Sequence, residues 1–171
     1  NMGEQAGGMD SAKLSVDMGG LGTIAFDQGS GSGLANYDDM TPKANEEVWD
    51  GLDTSASGLV GTLGSSGRIQ YKNSFDGLTL DAAYGSGSST NNADGVTSGS
   101  GEGGGYSIAV VADASSFGVD GLTIGGGYGE TEAGSNNNDK EDMAIFTTYA
   151  MGSVTVGFQR NDISGGAAGA P

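Results

Sequence analysis

The sequence predicts an all-β fold, an antiparallel transmembrane β-barrel whose strands cross a bilayer in hairpins. Two observations carry this. Short segments alternate apolar and polar residues with a period of two, eight of them along the chain. The connections between them alternate between tight and long, so the long excursions all fall on one side, as they do in a barrel whose two rims face different compartments. A membrane helix is excluded, because no stretch approaches the roughly 20 apolar residues one needs.

The first hairpin is Ala12–Met18 and Leu21–Phe26, with Gly19-Gly20 between them. A polar excursion, Asp27–Gly67, follows. Arg68–Phe75 and Leu78–Tyr84 form the clearest hairpin, because Asp76-Gly77 favours the positive φ of a two-residue turn. After the polar stretch 85–105 come Tyr106–Ala112 and Leu122–Tyr128, joined through Val119-Asp120-Gly121, an echo of Phe75-Asp76-Gly77. The stretch 129–142 leads to the last pair, Met143–Met151 and Ser153–Arg160, which turn around Gly152. Residues 161–171 close the chain, and 85–105, 129–142 and 161–171 are expected to be long extracellular loops. Residues 1–171 form a single barrel segment in this reading.

Each strand has one apolar and one wet face. Val154, Val156 and Phe158 oppose Thr155, Gly157 and Gln159; Ile69, Tyr71 and Phe75 oppose Arg68, Gln70, Lys72 and Ser74; Leu14, Val16 and Met18 oppose Lys13, Ser15 and Asp17. Phe26, Phe75, Tyr84, Tyr106, Tyr128, Tyr149 and Phe158 lie near strand ends, where interfacial girdles place aromatics. A half-buried soluble sheet shows the same alternation, so a secreted or surface-displayed adhesin-like β-protein with acidic, cation-binding loops is the alternative.

Composition narrows the function. The formal charge is −16, with only six Lys and Arg spread along the chain, which excludes nucleic acid as a partner. Without histidine or cysteine, neither a Ser-His-Asp triad, a thiolate nucleophile nor a His- or Cys-ligated zinc site can form. The adjacent carboxylates Asp38-Asp39 and Glu46-Glu47 point apart in extended chain and lack a partner to tune them, so no enzyme is expected. Gly29-Ser30-Gly31-Ser32-Gly33 lacks the Gly-Lys-Ser/Thr ending of a phosphate loop. Asp139, Glu141 and Asp142, with Asn136, Asn137 and Asn138, supply oxygens of the kind Ca2+ takes; a solvated loop needs the same residues, and no other cofactor is expected.

The run from Ala12 to Gln28, with Gly19-Gly20-Leu21-Gly22-Thr23 at its turn, resembles the general diffusion porins of Gram-negative outer membranes, above all the alphaproteobacterial ones. The resemblance implies sixteen-stranded homotrimers set among outer-membrane lipid and lipopolysaccharide, passing small hydrophilic solutes and ions. It also implies that the long loop after this hairpin folds back into the barrel, which makes 27–67 the constriction loop. A complete eight-stranded barrel is the rival structure: its interior is filled by its own side chains and could not hold an inward loop of roughly forty residues, although the same loop could project outward; the chain is read as an internal segment of a larger barrel. The start, which does not resemble a signal peptide, and the lack of a terminal aromatic support the same reading.

On this basis the constriction carries Asp27, Asp38, Asp39, Glu46, Glu47, Asp50 and Asp53, facing basic wall residues Lys13, Arg68 and Lys72. Such an arrangement sets a transverse field across a narrow aqueous opening. Tyr37, Met40 and Trp49 are the residues expected to pack the loop against the wall. Arg160 shares the parity of Phe158 and is expected on the lipid face at the long-loop rim. Any exposed long loop could also serve as an attachment site for phage.

Overall fold

The fold is described from a computed structural model, which describes residues 12–28, 33–42, 68–85, 104–132 and 138–166. Period-two patterning produces strands β1 (Ala12–Asp17), β2 (Thr23–Gln28), β3 (Arg68–Phe75), β4 (Leu78–Gly85), β5 (Gly105–Asp113), β6 (Leu122–Thr131), β7 (Asn138–Met151) and β8 (Val154–Gly166). They form one sheet in strict chain order, every neighbouring pair antiparallel, with β1 and β8 at its edges.

Tight turns close one end of the sheet. Asp76 (φ 47°) and Gly77 (φ 77°) both take the left-handed conformation that matches strand twist in a two-residue hairpin. Between β5 and β6, a 3-10 turn at Ala114–Phe117 is capped by Asp113, whose side chain accepts from the Ser115 N–H at 3.0 Å. A second 3-10 turn, Gly19–Leu21, delays the start of β2 to Thr23, two residues later than alternation suggested.

The upper strand ends depart further from expectation. β6 runs to Thr131, β7 starts at Asn138 and β8 continues to Gly166, so much of the expected loops 129–142 and 161–171 is strand. Backbone pairing needs no apolar side chains, and polar partners extend the ladders. Glu130 lies opposite Glu141 and accepts from the Tyr106 and Tyr128 hydroxyls at 3.3 and 3.2 Å. Ser164 lies opposite Glu141 and donates to it at 3.2 Å, beside an irregularity in the ladder between Asn138 and Glu141. Arg160 therefore sits well inside β8, paired with Asp162 at 3.3 Å, and not at a strand end.

The two faces have inverted exposure for a water-soluble sheet. Leu14, Val16, Phe26, Ile69, Tyr84, Ile108, Ile145, Val156 and Phe158 are exposed, whereas buried positions hold Arg68, Gln70, Asp81, Ser107 and Asp142 beside alanines. A soluble β-protein would cover the apolar face with a second layer; among the described residues nothing covers it. Lipid is the solvent that suits such a face.

Candidate functional site

A segment from the long excursion after β2, residues 33–42, lies across the wet face of β4 to β8 as a strap. It begins with a 3-10 turn, Gly33–Tyr37, over which Gly33 adopts φ +57° and approaches the wall so closely that a side-chain carbon there would run into Ser107. The first anchor is Asp81 on β4, 1% exposed. Its Oδ1 accepts from the Gly33 N–H at 3.2 Å, and its Oδ2 from Asn36 Nδ2 at 3.0 Å and the Tyr37 hydroxyl at 3.5 Å. The Leu34 N–H donates to Ser107 Oγ on β5 at 3.1 Å.

The second anchor is apolar. Leu34, Tyr37, Ala109, Ala144 and Phe146 form a buried cluster, with Met40 and Val111 against it. Tyr37 stacks on Phe146 with ring centroids 6.0 Å apart and planes 14° from parallel. The wall makes room through glycine: the Phe146 ring occupies the space a side chain at Gly125 would need, and Leu34 Cδ1 would stand 2.8 Å from a Cβ on Gly127. Pro42 similarly fills the space beside Gly157 on β8.

The third anchor is on β8. The Gln159 side chain accepts from the Met40 N–H at 2.6 Å and donates to the Tyr37 and Asp38 carbonyls at 3.1 and 2.7 Å. Asn161 Nδ2 donates to the Asp38 carbonyl at 3.1 Å. Main-chain groups of the strap that find no ladder thus find side chains on the wall.

Among the residues expected to carry the site, Asp38 and Asp39 lie in the strap, half-buried, and Asp39 Oδ1 accepts from Thr41 Oγ1 at 3.0 Å. Tyr37 and Met40 sit in the apolar cluster. Asp27 belongs to β2 and not to the loop: the strand runs two residues past Phe26 because its backbone pairs on both sides, with Lys13 and Arg68 opposite Asp27. Glu46, Glu47, Trp49, Asp50 and Asp53 lie outside the described residues. Lys13 is exposed, as is Lys72, whose ammonium is 3.6 Å from Asp81 Oδ2. Arg68 is only 3% exposed, so its charge does not stand bare on the wall.

The oxygen-rich group at Asp139, Glu141 and Asp142 does not converge. Strand alternation leaves Asp139 and Glu141 exposed and buries Asp142, whose Oδ2 pairs with Lys140 Nζ at 3.1 Å. Among the described residues no three acidic groups come together to hold a metal.

Burial, then the charge and hydrogen bond of Asp81, push the Tyr37 phenol up to about 12 from its ordinary 10. The docked strap therefore favours the neutral phenol. This contribution to docking is fully present below pH 10 and is lost as pH rises from 10 towards 12, because the undocked phenol ionises first. Protease cleavage of the strap is expected to rise over that interval, and Tyr37→Phe to remove the dependence; an equally steep rise in the variant would contradict it.

A family model described as Gram-negative porin matches residues 1–171 of the chain. No curated protein and no solved structure matches it.

Proposed function

The chain belongs to the Gram-negative porins of the outer membrane, and from that premise we propose that its sheet is one arc of the wall of a water-filled channel through which small hydrophilic solutes and ions diffuse passively. The observation that carries this reading is the strap: a segment of the long loop lies on the polar face of the sheet, the face a lumen would wet. Residues 33–42 then narrow the channel beside β4 to β8, and the exposed wet-face residues Lys13, Ser15 and Asp17 of β1 and Lys72 of β3 line the path beside them. β1 and β8, the edges of the sheet among the described residues, are where further wall joins, since an eight-stranded barrel has no room for a strap and a channel together. The protein assembles as a homotrimer of the general diffusion type, with the connections opposite the tight turns facing outward, among lipopolysaccharide and within reach of phage.

Selectivity follows from charge. Asp38 and Asp39 on the strap, together with Glu46, Glu47, Asp50 and Asp53 of the same loop, outnumber Lys72 and Lys13 on the wall. Cations gain from this excess, and dipolar solutes orient between strap and wall. Reversal potentials in planar bilayers under a salt gradient are expected to show a mild cation preference. It should weaken as salt rises, because the screening length is only about 10 Å at 0.1 M. A clear anion preference would overturn the charge argument.

A further inference from the structure

We infer that Asp81 is the positioning residue that holds the strap at its distance from the wall, and that it does so through its two acceptor oxygens and its charge rather than its shape. This rests on reading the strap as the constriction. Asp81 is one of the two largest fully buried side chains, and it is a carboxylate. Burying a charge is costly unless donors surround it, and here they come from both sides. Gly33 N–H points at Oδ1; Asn36 Nδ2, the Tyr37 hydroxyl and the Lys72 ammonium gather at Oδ2. The three loop donors lie within five residues of chain, at the turn where the strap meets the wall. Lys72 comes from β3, outside the strands the strap crosses, and its side chain is half-exposed on the wet face.

One carboxylate therefore does two things. It fixes the strap, and it supplies the counter-charge for a lysine that passing ions meet. Asparagine has the same shape but one acceptor only. In Asp81→Asn either Oδ1 or Oδ2 becomes an amide nitrogen facing donors. Moving the carboxylate to the other side of the contact, as Asn36→Asp combined with Asp81→Asn, restores both the donor–acceptor match with residue 36 and a negative charge beside Lys72.

The test is single-channel recording on the protein purified from outer membranes. Asp81→Asn is expected to shift the balance from docked to undocked strap by on the order of tenfold. The current should become larger and unsteady, and selectivity should move towards anions as Lys72 loses its partner. The double variant Asn36→Asp/Asp81→Asn should return a steadier current and move selectivity back. A residue that merely fills space would show neither effect, because asparagine fills the same space. Wild-type current and selectivity in Asp81→Asn, or a double variant no better than the single one, would overturn the inference.

Should Asp81→Asn fail to assemble, Asn36→Ala alters the exposed partner of the same contact. A smaller change in the same direction supports the inference, and an unchanged current overturns it. Protease cleavage within the strap, compared between wild type and variants, reads docking without any current. A wild-type protein that conducts nothing would overturn the channel reading, while faster cleavage in Asp81→Asn would still support the anchor.

Discussion

Replacing Phe146 by alanine is expected to release the strap while leaving the sheet intact. The ring is 3% exposed, stacks on Tyr37 and fills the space left by Gly125 on the neighbouring strand. Truncating a buried phenylalanine costs about 3 to 5 kcal/mol, the lost transfer energy plus the cavity left behind. Ordinarily that cost falls on a whole domain. Here it falls on the docking of one segment, because around residue 146 β7 is held to β6 and β8 by unbroken backbone ladders that do not involve the ring. A loss of about 3 kcal/mol changes the docked-to-undocked ratio by more than roughly a hundredfold. Channels should open to a larger, fluctuating current, with unchanged strand content by circular dichroism. Steady wild-type current would show that the apolar cluster does not hold the strap.

How much of this was legible in the sequence depends on the range of the interaction concerned. The eight strands, their faces and the Asp76-Gly77 turn follow from neighbours one to eight residues apart, and period two is a strong signal when one face meets lipid. The ends of β6, β7 and β8 were not legible, because Glu130, Glu141 and Asp162 break the apolar pattern although their backbones still pair. Lys13, Lys72 and the loop acids could be nominated by type and parity. Asp81 could have been, since an acid between Leu80 and Ala82 has wet-face parity, but its partners Gly33, Asn36 and Tyr37 are 44 to 48 residues away. Gln159 reaches back 119 to 122 residues to the strap. Nothing local marks such a glutamine as an anchor. The glycines of β6 were visible only as small residues; their use as a seat for Phe146 and Leu34 requires the third dimension.

The central claim is that the apolar face of the sheet meets lipid and the polar face meets the water of a channel. Ser15 and Val16 on β1 separate these two environments most sharply. They are adjacent, both exposed, and on opposite faces: Ser15 pairs in register with Ala25, which is buried on the wet side, and Val16 with Ile24, which is exposed on the apolar side. Exposure to solvent alone cannot tell them apart, so the surrounding medium must. The chain has no cysteine, and each position can carry a single one as a reporter. The decisive measurement is the current through reconstituted Ser15→Cys and Val16→Cys channels during addition of a charged thiol reagent that does not enter lipid. The account predicts a stepwise fall in current for Ser15→Cys and no response for Val16→Cys. Modification of Val16→Cys, or an unmodified Ser15→Cys, would contradict it.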